Sequence, residues 1–131
     1  MAGPPDSAPQ RQENDDMPQY LLLLHSDPTG FQRMSPQDMQ AAVQKYVKWG
    51  DRLRQSGVYK ESHKLANDRG RVVQGAGEKT RVTDGPYSET KEILGGYFLI
   101  EAPSYDRAIE ELRDCPHLAY GTVEVRQIDT M

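Results

Sequence analysis

Apolar residues recur along this chain with two different periods. Tyr20-Leu21-Leu22-Leu23-Leu24 is apolar at both parities, the pattern of a strand covered on both sides. Tyr97-Phe98-Leu99-Ile100 is a second run of that kind. Between them, Met39, Ala42, Val43, Tyr46, Val47 and Leu53 recur at helical spacing and form one stripe. Ser35 supplies an N-cap, Pro36 the first helical position, and Asp38 a negative charge at the positive end of the dipole. Gly57 ends this helix, Trp49 falls on the edge of its stripe, and Gly50 interrupts it as a close-packing glycine. A second helix opens at Ser104, shows Tyr105, Ala108, Ile109 and Leu112 on its apolar face, and stops at Pro116.

The remaining segments are shorter. Val58 to Leu65 is an irregular strand, and His25 to Gly30 leaves the first strand as a polar loop. Arg71 to Gln74 and Lys79 to Thr83 flank Gly75-Ala76-Gly77-Glu78 as a hairpin. Thr122 to Arg126 alternates, with Val123 and Val125 on one face. The order β-α-β-hairpin-β-α-β is the split βαβ pattern of an α+β domain. Right-handed crossovers place both helices on one sheet face. The other face is then left bare, yet both runs are apolar on either parity, which predicts a homodimer packed sheet on sheet.

Length and charge add limits. At 131 residues the chain is one domain with enough mass for a core of its own. Residues 1–17 hold Asp6, Glu13, Asp15 and Asp16 against Arg11, three prolines, and no large apolar residue apart from the methionines. That composition predicts a disordered tail, with the domain over 18–131. The tail takes −3 of the net −4, so the domain is near neutral and gives no support to direct nucleic-acid binding. Cys115 is the single cysteine, which excludes a disulfide framework. There is no secretory h-region and no apolar run of membrane-spanning length, so a cytoplasmic location without membrane attachment is expected.

Val82 to Tyr97, VTDGPYSETKEILGGY, holds the densest group of turn residues and charges. Asp84-Gly85-Pro86 is a turn, Gly95-Gly96 a second breaker, and the charged excursion between them looks like a site. TDGPY, SETKE and LGGYFLIEAPS, in this order and spacing, resemble the YCII-related family, DGPF branch, with Tyr87 in place of the usual Phe. The resemblance runs from about Pro18 to the C-terminus. It implies a ferredoxin-like domain that dimerises through its sheets as a dimeric α/β barrel, and a regulatory link to extracytoplasmic-function sigma factors. Some relatives use a first-helix histidine with a carboxylate as a dyad. The matching position here is Tyr46, so that dyad does not carry over.

The candidate chemistry centres on His25, at the end of the first strand and able to titrate near neutral pH. Asp84 or Glu89 is its expected acidic partner, and Asp27 is near enough in sequence to orient it. Glu89, Lys91, Asp27 and Tyr97 are the expected ligand-binding groups, with Lys91 holding an anionic group. The plainer reading makes His25 a polar residue closing a strand, Asp84 an Asx turn and Lys91 a salt-bridge partner. His63 and His117 read as surface residues, and no histidine has metal-ligand spacing, so neither metal nor cofactor is expected. GAGEKT at Gly75 to Thr80 is not a phosphate loop, because Glu78 stands where a glycine is needed and a strand follows. The segment from Lys60 to Arg81 is net +3 and reads as a solvated, edge-protecting hairpin. Two functions follow: a dimeric domain binding a small molecule between the sheet rim and the DGPF loop, or a lyase- or isomerase-like enzyme using His25. A third is a protein-interaction module.

Overall fold

A computed structural model describes residues 17–85 and 92–129. The acidic tail over 1–16, Glu89 and Lys91 lie outside the described residues. The chain runs β1 (Gln19–Ser26), α1 (Pro28–Gln32), α2 (Pro36–Gln55), β2 (Tyr59–Lys64), β3 (Arg71–Gln74), β4 (Arg81–Asp84), β5 (Ile93–Glu101), α3 (Tyr105–Glu110) and β6 (Gly121–Gln127). Short 3-10 turns cover Gly77–Lys79 and Pro116–Ala119. Four strands form one sheet in the order β2-β5-β1-β6, with every neighbouring pair antiparallel. β3 and β4 form a separate two-stranded sheet. Among the described residues the architecture is mixed α+β, an antiparallel sheet with three helices.

β1 shows why its run is apolar at both parities. Tyr20, Leu22, Leu24 and Ser26 are buried, while Leu21, Leu23 and His25 on the alternate face are half-buried. The buried parity meets Trp49 and Leu53 of α2 and Ala108 of α3, together with Ile100 of β5, in one cluster. Both helices therefore cover the same face. Register puts Val123 and Val125 opposite Leu24 and Leu22, so β6 adds its valines to that side. The opposite face carries Leu21, Leu23 and Leu99, with no helix over it among the described residues.

α2 begins as its caps dictate. Ser35 Oγ accepts from the Asp38 N–H at 3.0 Å, and Pro36 occupies the first turn. Trp49, expected at the edge of the stripe, is a core residue whose indole N–H donates to the Glu111 carbonyl at 3.0 Å. Arg52 adds a charged clamp beside it. Its Nε and Nη2 donate to Asp114 at 2.6 and 2.8 Å, and its Nη1 donates to Glu111 Oε1 at 2.7 Å. These bonds tie α2 to the turn after α3, and those to Asp114 are the main reason the guanidinium is held above its ordinary pKa.

Three expectations are corrected. Gly95-Gly96 does not break the chain but lies inside β5, where a Cβ on Gly96 would meet the His63 carbonyl oxygen at 2.9 Å. The segment after His25 is not wholly loop, since Asp27 caps α1 and accepts from the Thr29 N–H at 2.9 Å. The second helix ends at Glu110, five residues short of its expected stop, and Ile109 on its supposed inner face is half exposed.

Candidate functional site

The stripe of α2 does not close fully onto the sheet. Val43 and Val47 remain about half exposed, and with Met39 they wall a cavity of about 550 Å³ between α2 and the sheet. Its size is that of a small-molecule site. Two glycines make the room. Gly50 faces the Phe98 ring across the gap, where an added Cβ would stand 3.8 Å from it, and Gly96 presents bare backbone on the sheet side. Leu24, Phe98 and Ile93 complete the apolar wall, and Ile93 is the first residue of β5. α1 brings Phe31, whose ring stands 5.1 Å from that of Tyr120.

One polar feature of the wall is a bonded pair. Tyr46 Oη lies 2.9 Å from His117 Nδ1, and His117 Nε2 lies 2.9 Å from the backbone carbonyl of His25. A carbonyl can only accept, so Nε2 carries a proton. In the neutral ring Nδ1 is then an acceptor, and the Tyr46 hydroxyl donates to it. Burial disfavours the imidazolium and pulls the His117 pKa below its ordinary value, partly opposed by the bond to the His25 carbonyl. His25 lowers it further, and the charge of Glu92 acts in the opposite direction. Burial also raises the Tyr46 phenol well above its usual range. Both groups are therefore neutral near pH 7. The phenol oxygen keeps lone pairs free to accept from a ligand, and its proton is held on an acceptor that can take it.

His117 is thus a correction: it is 4 % exposed, not solvated. Its local sequence, Cys115-Pro116-His117, gave no sign of burial. The buried Cys115 thiol next to it is pushed up in pKa by desolvation and stays protonated.

His25 does have a carboxylate within reach, though not an expected one. Its Nε2 lies 3.1 Å from Glu124 Oε1, on the sheet face away from α2. Asp84 is far more exposed and pairs with Arg71 at 3.6 Å on the separate hairpin. The structure therefore does not bring His25 and Asp84 into contact. Asp27 serves as a cap, accepting from both the Thr29 N–H and its hydroxyl. Tyr97 donates to Glu61 Oε2, a bond that keeps its phenol protonated to higher pH, and it also borders the cavity. His63 is exposed on edge strand β2, as expected, and touches the cavity rim. Among the described residues no group of three or more His, Cys, Asp or Glu side chains could hold a metal ion. Among them, too, no helix is long and apolar enough to cross a membrane.

Sequence comparison agrees with this architecture. An uncharacterized protein of Rhizobium meliloti (strain 1021) is 46% identical over 55 residues, which cover 40% of this chain and 44% of that protein. The match thus spans less than half the length of that relative. Residues 18–131 match the YCII-related domain, nearly the whole chain, and the protein belongs to the YCII-related family.

Proposed function

We propose that this protein is a homodimeric small-molecule-binding domain whose ligand occupies the cavity between α2 and the sheet. The observation that carries this reading is the cavity itself: about 550 Å³, apolar in most of its wall, with the neutral Tyr46–His117 pair as an oriented polar contact. The strand order β2-β5-β1-β6 supports a ferredoxin-like split βαβ, and the sequence Thr83-Asp84-Gly85-Pro86-Tyr87 supports the DGPF branch. The dimer rests on the uncovered sheet face, where Leu21, Leu23 and Leu99 need a partner surface. Trp49 is the single tryptophan of the chain, and its ring lies 4.6 Å from that of Phe98 in the cavity wall. Its emission therefore reports occupancy. A neutral solvatochromic dye is expected to shift Trp49 emission and to be excluded by Val47→Phe, which fills the groove from α2. A dye that binds both forms equally, or neither, removes the cavity from consideration.

A second reading makes the protein a lyase- or isomerase-like enzyme with His25 as its proton-handling group. It is supported by the 3.1 Å approach of His25 to Glu124. Because that side chain faces away from the cavity, His25→Ala is expected to leave dye affinity unchanged. A large loss would join His25 to the cavity and favour the enzyme.

A further inference from the structure

We infer that the ligand of this cavity is an amphipathic anion, a carboxylate on a compact apolar body with a polar group at its far end; the inference rests on the cavity being a binding site. The charged side chains among the described lining residues are of one sign. Among the described residues that line it there is no carboxylate, whereas Lys64 and Arg54 both contribute to its edge. Arg54 is partly engaged, since its Nη1 donates to Asp51 at 3.0 Å and its guanidinium lies 4.2 Å over the Tyr59 ring. Lys64 is not neutralised in that way. Its Nζ donates to the Leu65 carbonyl at 2.5 Å and to Asn67 Oδ1 at 2.7 Å, both uncharged acceptors. Among the described residues no carboxylate forms an ion pair with it. A cation so placed at the edge of an apolar cavity favours a ligand that brings the missing charge.

Sheet register sets the length of that ligand. Gly96 is paired with Leu24 on one side and Lys64 on the other, so one row crosses β1, β5 and β2. Two interstrand steps span about 10 Å. His117 is bonded to the backbone of β1 one residue beyond Leu24, and Lys64 lies at the β2 end of the row. An anion at Lys64 and a hydroxyl donating to the Tyr46 oxygen are therefore separated by roughly one or two rings, or a chain of similar extent, lying over the bare backbone of Gly96.

The test is competition against the neutral dye. Para-hydroxyphenylpropionate, naphthoate and octanoate are each compared with their primary amides, which keep the shape and remove the charge. At least one acid is expected to displace the dye at roughly tenfold lower concentration than its amide. With each variant referred to its own dye affinity, Lys64→Met should bring that ratio close to one, and Lys64→Arg should preserve it. Amides that compete as well as acids, or a ratio unmoved in Lys64→Met, would overturn the anionic class while leaving the cavity as a site. Dye binding with no displacement by any of the six compounds would also overturn it. Failure of the dye itself would instead strike the cavity reading on which this inference stands.

Discussion

Tyr46 and His117, 71 positions apart in the chain, meet through a 2.9 Å bond in the wall of the cavity. The direction of that bond, hydroxyl to Nδ1, is fixed by the carbonyl on the other side of the ring. Tyr46→Phe removes the donor and leaves Nδ1 in a half-dry site without it. The expected cost is about 1–2 kcal/mol in denaturant melts. Nitrogen chemical shifts of the His117 ring should keep the proton on Nε2 in both forms. A proton on Nδ1 in the wild type would reverse the direction argued here.

His117 also predicts a dependence on pH. Its folded pKa lies below its unfolded value, so the unfolded chain binds the extra proton first. The stabilisation is therefore complete above the unfolded value of about 6.5 and declines as pH falls below it, until the folded form also titrates. Melts of the wild type and His117→Gln between about pH 7.5 and pH 5 should show the larger loss in the wild type. Parallel curves would mean that the buried ring is not the titrating group.

Gly96→Val should be severely destabilising, by more than about 2 kcal/mol. Its Cβ would press on the His63 carbonyl, and the added methyls would displace the neighbouring strand. Gly30→Ala is the control. Nothing lies within 4 Å of its Cβ and it sits inside α1, so the change should be within about 0.5 kcal/mol or favourable. Equal effects would remove the case for close backbone packing at Gly96.

Leu23 lies in central strand β1 on the uncovered face, flanked by Tyr97 and Glu124 in register. Leu23→Lys should convert a dimer to a folded monomer in sedimentation at micromolar concentration, with unchanged circular dichroism. A wild type that sediments only as monomer sinks the sheet-on-sheet dimer.

The parts of the fold that depend on local signals were legible from residues alone. Ser35-Pro36 marked the start of α2, and the doubly apolar run at Tyr20 to Leu24 marked the strand that is paired on both edges. The same logic could have found α1, because Asp27-Pro28 is again a cap followed by proline. What failed was set at long range. Gly95-Gly96 read as a break because the neighbour that requires a bare backbone, His63, is 33 positions away in sequence. His117 read as solvated because its partners, Tyr46 and the His25 carbonyl, come from other elements. The sequence points to Asp84 or Glu89 as the charged partner of His25, but strand pairing delivers it from β6 as Glu124. Tyr46 reads as a member of the helical stripe and as the place where the family dyad does not carry over, and that place holds the hydroxyl of the cavity pair.

Among the described residues the β3–β4 hairpin pairs only with itself, and its cross-strand valines, Val73 and Val82, are both more than 60 % exposed. Two strands without a covered face form a marginal unit. In deuterated buffer its amides should exchange early and independently of ligand, through openings that leave the four-stranded sheet intact. The amides of β1, bonded on both edges, should exchange only when the whole domain opens. Residues 71–84 can thus be lengthened, trimmed or bound by another molecule without cost to the cavity, which leaves this arm as the part of the chain freest to diverge in length and charge.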